Sequence, residues 1–353
     1  NITIAVIVLT PLRNNMKKFI NSPEDFIPEV LNGIYLAHAG KFNFVNNDLH
    51  CLVSTDKHLG KVAIVTGGGS GHLPLFLGYV GKGMLDGCGV GDVFQSPSPE
   101  QILSITQAVD SGAGVLYLYG NYNGDIFNFD MAAEMAEFES NIVTATVIAG
   151  DDIACPPAST GEPSRRRGVA GIFFAYKCAG AAAAQMLDLA NVQRIAQKAC
   201  NNIRTIGVGL SPCIVPRIGK PSFHIGNDEM EIGIGIHGES GIRRGEKLPA
   251  NNIVDELMGN LLADYPLHAG DEVAILINGL GATPLEELYL VYGRANQTLK
   301  DAGIKVFKTY VGEYATAMEM AGLSISLMRL DDELKQLLVH EANTPMFKQF
   351  QGE

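Results

Sequence analysis

The chain lacks most of the features that mark a nucleic-acid, membrane, metal or nucleotide protein. Of its 353 residues none is tryptophan and only 18% are charged; Lys+Arg number 26 against 38 Asp+Glu, a net charge of -12. An acidic surface repels phosphate backbones, which argues against direct nucleic-acid binding but not against a partner that binds DNA. The apolar run Ile2 to Leu9 is too short to span a bilayer, so no membrane association is expected. The six cysteines, Cys51, Cys88, Cys155, Cys178, Cys200 and Cys213, form no C-x-x-C pair, and no H-E-x-x-H spacing occurs. No metal site is expected, and the cysteines read as reduced thiols of a cytoplasmic protein. The glycine cluster Gly67-Gly68-Gly69-Ser70-Gly71-His72 is closed by no G-K-[ST] and fails the G-x-G-x-x-G spacing. Neither ATP nor NAD follows from it, and no cofactor is expected.

What is abundant is apolar residues, at 46%, and glycine, with 40 copies. That composition buries a large core, and the length suggests two domains of ~150 residues each. Residues 1–15 read as an upstream or non-native extension. The remainder divides into an N-terminal α/β domain over 16–195 and a C-terminal α/β domain over 196–353. Short β-rich runs at Val62–Val65, Gly114–Tyr119 and Ile142–Ile148, each stopped by glycine or aspartate, read as strands of a sheet covered on both faces. Helical spacing lies between them at Pro99–Val109, with Ser98 as N-cap, and at Phe127–Phe138. Ala170–Asn191 and Val192–Ile203 predict two more helices. Strands are expected near Thr205–Leu210, Met230–Ile236, Glu272–Ile277 and Lys305–Tyr310. Helices are expected at Ile253–Leu262, Pro284–Ala302 and Asp331–Leu338. The proline-rich stretch Asp152 to Arg167 reads as a loop. Its Arg165-Arg166-Arg167 either grips an anion or partner or is simply solvated.

Three constellations carry chemistry. The glycines Gly68, Gly69 and Gly71, with Ser70, let a ligand approach backbone N–H groups, and His72 stands at their end. Asp125 closes Gly120-Asn121-Tyr122-Asn123-Gly124-Asp125, just past a strand, where α/β proteins bind ligands. It serves either as a base or ligand acceptor, or as a helix cap. In Met230 to His237 the period-two alternation puts Glu231, Gly233, Gly235 and His237 on one face. The two glycines predict an open floor beside the His237 imidazole, suited to a small ligand. Asp151-Asp152 and Asp331-Asp332 read as loop and helix-start charges.

These segments together resemble the substrate-binding K subunit of the dihydroxyacetone kinase family. The resemblance is carried by Gly67–His72, Asn121–Asp125, Arg166–Ala170, Gly219–Phe223, Glu231–Glu239 and Asn278–Pro284, spread in order from about Met16 to Phe350. It implies two α/β domains, each a sheet flanked by helices, in a homodimeric subunit. It implies that His237 binds the ketone of dihydroxyacetone covalently as a hemiaminal, that His72 is the histidine after the glycine turn, and that Asp125 is the family's catalytic aspartate. A neutral imidazole nitrogen attacks a carbonyl carbon, and the developing alkoxide needs a proton or donor, here assigned to His72. Glycerol has no carbonyl and escapes capture. In the family's phosphotransferase-linked enzymes a separate subunit carries ADP, consistent with the missing nucleotide loop.

Two positions depart from the family pattern. Leu73 stands where a glutamate follows the histidine, and Gly120 where a lysine precedes Asn-Tyr. A cation beside the site suits the charge of a moving phosphoryl group. Its loss predicts that ketone capture outlasts turnover. The chain therefore resembles the family's non-catalytic paralogue, a dihydroxyacetone sensor that coactivates a DNA-binding transcription regulator of the kinase operon, rather than an enzyme. The alternative is an active kinase subunit partnered by an ADP-carrying subunit.

Overall fold

The computed structural model describes residues 17–157 and 164–352. The expected extension over 1–15 and the centre of the proline-rich stretch, 158–163, lie outside the described residues.

The first sheet begins after helix α1 (Phe26–Ala37). Its strands are β1 (Phe42–Val45), β2 (Asp48–Ser54), β3 (Ala63–Ser70), β4 (Gly87–Val93), β5 (Val115–Gly120) and β6 (Thr144–Ala149), in the order β1-β2-β4-β3-β5-β6. β3, β4, β5 and β6 pair in parallel, and β1, β2 and β4 antiparallel. Helices α2 (Pro99–Val109) and α3 (Asn123–Ser140) cover one face. α2 starts where the sequence places it. Ser98 accepts from the Gln101 backbone N–H at 3.3 Å while the Gln101 side chain accepts from Ser98 N at 3.0 Å, a reciprocal capping box.

The alanine-rich stretch is not one long helix. α4 (Ile172–Ala184) ends at Gln185, and Asp188 caps the separate α5 (Leu189–Asn201) by accepting from Asn191 N at 2.9 Å. A boundary at 195/196 would cut α5; the second sheet starts only at Ile203.

That second sheet holds β7 (Ile203–Ser211), β8 (Glu229–Ile232), β9 (Arg243–Glu246), β10 (Glu272–Gly279), β11 (Lys305–Gly312) and β12 (Ala321–Leu330), in the order β11-β10-β12-β7-β8-β9. Only β10 and β11 run parallel. Helices α6 (Ala250–Asp264) and α7 (Leu285–Asp301) cover its outer face. α8 (Asp332–Leu338) and the short pair β13 (Ala342–Asn343) and β14 (Lys348–Gln349) close the chain.

Strand periodicity explains why the two sheets stack. In β10, Val273, Ile275 and Ile277 face α6 and α7, while Ala274 and Leu276 face the central core. In β5, Leu116 and Leu118 face that same core, and Val115, Tyr117 and Tyr119 the outer one. Both sheets are therefore apolar on both sides. α4 fills the space between them and is apolar nearly all round, the pattern of a helix with no solvent face.

Candidate functional site

Three sequence-predicted residues converge where both sheets meet. His72 follows β3 and Asp125 lies in the first turn of α3, just after β5. Both sit at the carboxyl ends of parallel strands, the crevice where such sheets place ligands. His237 arrives from the second domain, beyond β8. The ring centroids of His72 and His237 are 4.9 Å apart. Phe94 stacks on His72 at 4.8 Å, and Tyr122 meets His237 edge-on at 4.8 Å. A pocket of about 240 Å³ beside His237 is lined by Gly68, Gly69, Phe94, Ser96, Tyr122 and Asp125, among others.

The hydrogen bonds set the two imidazole tautomers. His237 Nδ1 lies 2.9 Å from Glu239 Oε1, and Glu239 Oε2 also accepts from His237 N at 2.9 Å. A carboxylate only accepts, so Nδ1 carries a hydrogen, and in the neutral ring Nε2 carries a lone pair. Burial works to raise the Glu239 carboxyl, but the His237 hydrogen bond and the charges of His237 and Arg167 hold it at about 2. His72 Nδ1 lies 2.7 Å from the Thr316 carbonyl, so it too donates through Nδ1. Its Nε2 is buried with no hydrogen-bond partner among the described residues. Burial, then the neighbouring His237, push His72 down to about 3. His72 Nε2 is therefore a buried acceptor without a partner among the described residues, on a ring that adjoins His237 and lines the neighbouring cavity beneath α1 rather than this pocket. The expected role of proton supplier does not fit this tautomer.

Asp125 is a group of the pocket that exchanges its proton close to neutrality. Burial raises its carboxyl to about 6, against the opposing effects of Ser96 and His237, and Oδ1 has no partner among the described residues. Standing within α3 it also has the helix-dipole position expected of a cap, but Asp125 is buried and is not the N-cap, which is Tyr122.

The glycine cluster is built differently from the expected turn. Gly67 to Ser70 continue β3, and the turn comes at Gly71, φ +101°. Beyond Val65 this strand pairs with β4 alone, leaving its β5-facing edge open where Gly68 and Gly69 line the pocket. A side chain at Gly68 would enter the Phe76 ring, and one at Gly69 would lie 2.6 Å from the Phe94–Gln95 backbone. Ser70 and Gly71 do not line this pocket. They face an apolar cavity of about 300 Å³ beneath α1, which His72 and Leu73 also line, and Ser70 Oγ donates to Gly91 O at 2.8 Å. Phe76, Phe94 and Met318, all beside the glycine cluster or His72, hold positive φ of 67°, 60° and 54°. Such strain at bulky residues clusters where the surrounding structure over-determines a site.

The open floor of Gly233 and Gly235 is not there. β8 stops at Ile232, and Gly233 turns at φ +79°. Ala154 stands over Gly233, and the ends of Glu239 and Arg167 over Gly235. These glycines make room for the group that orients His237. The alternation continued through Ile236, but the chain left the sheet.

Sequence reasoning missed Glu239, Arg167 and Asp152. Arg167 Nε donates to Asp152 Oδ2 at 2.7 Å and Nη2 to Gly233 O at 3.0 Å, with Nη1 4.0 Å from Glu239. Arg166 pairs with Asp264, which also holds Arg204. Of the three arginines only Arg165 is exposed. Asp151 and Asp152 are buried too: Asp151 accepts from Val169 N and Gly171 N, organising the start of α4.

Among the described residues no group of three or more His, Cys, Asp or Glu is placed to hold a metal. No helix there is long and apolar enough to cross a membrane. The described cysteines are all free.

Comparison with known proteins agrees with this architecture. The chain is 47% identical over 335 residues to the dihydroxyacetone-binding subunit of a PTS-dependent dihydroxyacetone kinase 2 of Listeria innocua, covering 94% of this chain and 99% of that one. It is 38% identical to the dihydroxyacetone-binding subunit of the PEP-dependent kinase of Escherichia coli, covering 94% and 98%. Among solved structures, a dihydroxyacetone kinase operon co-activator, Dha-DhaQ, superposes with a TM-score of 0.84 at 31% identity, covering 91% of this chain and 98% of that one. The dihydroxyacetone kinase of C. freundii gives 0.86 at 31% identity, covering 94% and 60%. The Dak1 domain model matches residues 32–346, and on that span this chain belongs to the Dak1 domain family.

Proposed function

We propose that this protein captures dihydroxyacetone covalently on His237 and reports its presence to a protein partner. The observation that carries the reading is the pair of tautomers. Glu239 keeps the proton on His237 Nδ1, so the Nε2 lone pair is free to attack a carbonyl carbon. The C=O π pair moves to the oxygen, which takes a proton, and the ring, made cationic by the new bond, releases its Nδ1 proton by way of Glu239 to solvent, leaving a neutral hemiaminal. Asp125, with its carboxyl raised to about 6, supplies the proton to the oxygen and regains one from solvent. His72 Nε2 accepts a ligand hydroxyl, and the open edge at Gly68 and Gly69 offers backbone groups to the rest.

The sensor role rests on what surrounds the pocket. No Lys or Arg is among its described lining residues. Gly120, where the resemblance leads one to expect lysine, abuts the Tyr122 ring: a Cβ there would lie 3.2 Å from it. Phosphoryl transfer relies on charge stabilisation that this lining does not offer. The reading includes a cytoplasmic homodimer and a DNA-binding regulator as partner. A second reading, an active kinase subunit served by an ADP-carrying subunit, is favoured by the 47% identity with the Listeria innocua subunit.

The test is a single mixture. Protein, dihydroxyacetone and a phosphorylated ADP-carrying subunit are combined, with intact mass and dihydroxyacetone phosphate both measured. The expected result is a mass increase of one ligand, absent with glycerol and absent in His237→Ala, without product. Product at an enzymatic rate would establish the kinase reading instead. An adduct that survives His237→Ala would refute the assignment of His237.

A further inference from the structure

Asn278, in the motif Asn278–Pro284, is not used by the chemistry above, yet it is fully buried near the end of β10. Its Nδ2 donates to Ala315 O at 2.8 Å and to Ser324 Oγ at 3.1 Å. Its Oδ1 accepts from Tyr314 N and Ala315 N, both at 2.8 Å. Each of the amide's two donor hydrogens and two acceptor sites thus has a partner. Three of these four bonds fasten the connection between β11 and β12.

The next residue of that connection is Thr316, and there the second domain grips the His72 turn. The Thr316 carbonyl accepts from His72 Nδ1 at 2.7 Å, and Thr316 N donates back to His72 O at 3.2 Å. Thr316 Oγ1 donates to Leu73 O at 2.9 Å, and Met318 N to Gly71 O at 2.7 Å. A carbonyl at that place admits only the Nδ1–H tautomer.

We infer that Asn278 is a positioning residue for His72: it holds the Thr316 carbonyl where it fixes the imidazole tautomer and leaves the Nε2 lone pair, on a ring adjoining His237, free to accept. The inference rests on the reading of His72 as a ligand acceptor. A residue acting at second hand still counts, because small misplacement of a reacting constellation costs large factors in rate.

Three variants test it. Asn278→Asp keeps the size and the oxygen that Tyr314 N and Ala315 N need, but loses both donors and turns an oxygen toward the Ala315 carbonyl. Ser324→Ala removes one anchor of Asn278 and nothing else in this chain of bonds. Ser326→Ala is the control: it lies buried on the same strand and bonds to Thr205 at 2.7 Å, with no bond to the 314–318 segment. Nitrogen-15 NMR of the His72 ring, without ligand, reports which nitrogen is protonated. Intact mass against time reports capture.

Asn278→Asp is expected to mix the His72 tautomers and slow capture roughly tenfold to a hundredfold. Ser324→Ala should shift both in the same direction by less, and Ser326→Ala neither, although its melting temperature falls. If Asn278→Asp lowers only the melting temperature, with ring signals and capture unchanged, the inference is overturned. If that variant does not fold, the contrast between Ser324→Ala and Ser326→Ala decides: a shifted His72 signal in the first alone supports the inference, and equal behaviour overturns it. A wild-type protein that forms no adduct overturns ketone capture, while the ligand-free ring signals still decide the role of Asn278.

Discussion

Two imidazoles face each other across 4.9 Å, yet their neighbours give them opposite work. A carboxylate holds the Nδ1 hydrogen of His237 and a backbone carbonyl that of His72, which on the proposed reading makes the first ring a nucleophile and the second an acceptor. Asp125 is left to exchange the mobile proton, and its buried carboxylate has a cost at the level of the residue. Its folded carboxyl, near 6, lies above the ordinary value of 3.8. The folded state therefore binds the proton more tightly, and ionised Asp125 destabilises the protein above pH 6. That penalty fades as pH falls through 6 and is gone below about 4. A carboxamide in its place does not titrate. Asp125→Asn is expected to stabilise the fold at pH 7.5, by at most about 3 kcal/mol, and the gain should vanish by pH 4. Chemical denaturation at the two pH values checks this; an equal gain at both would rule out the raised carboxyl. His72, Asp125 and His237 were legible in the sequence because each ends or follows a strand-like run. Glu239 was not, because a carboxylate two residues from a histidine gains meaning only when the chain folds back and both its oxygens reach the same residue.

At the scale of elements, short apolar runs and caps were the readable part. Pro99–Val109 is a helix over the predicted span because Ser98, Pro99 and Gln101 are local signals. β4 and β12 escaped notice: one is glycine-rich and the other begins at Ala321-Gly322, and both are strands only because neighbours pair with them. The stretch Met230–His237 shows the limit of periodicity. Alternation fits a strand throughout, but the positive φ at Gly233 breaks it after Ile232. Gly235 then makes space for side-chain ends, and this predicts an unusual variant. In Gly235→Ala the new methyl meets Glu239 and comes within 2.6 Å of Arg167 Nη1. Both groups are flexible and swing aside, so the fold should survive. His237 loses its carboxylate, a bond to a charged group, and capture should fall roughly tenfold to a hundredfold. Capture rate and melting temperature measured together check it. A lower melting temperature with normal capture would show that Glu239 does not orient His237.

For the whole molecule, the two-domain α/β plan was visible in the alternation of strand and helix signals, but the manner of joining was not. Periodicity tells that a sheet is covered on both faces; it does not tell that one helix covers two sheets. α4, rich in alanine, keeps the sheets close, and the central core draws on β3, β5, β10 and β12 together. The tail returns as well: Thr344 Oγ1 donates to Gly78 O at 2.8 Å, and buried Lys177 on α4 donates to the His340 carbonyl. Because α4 has walls on both sides, no partial opening wets its backbone without separating the sheets. Its amide hydrogens should therefore trade with deuterium only through complete unfolding, as the slowest set in the chain. A ligand held covalently between the domains should slow that set further, in proportion to the stabilisation it confers. Exchange followed by mass spectrometry, with and without dihydroxyacetone, reads this directly. Fast exchange in 172–184 would mean the halves part while each stays folded. A helix with no face to solvent thus becomes the clock on which occupancy of the site is recorded.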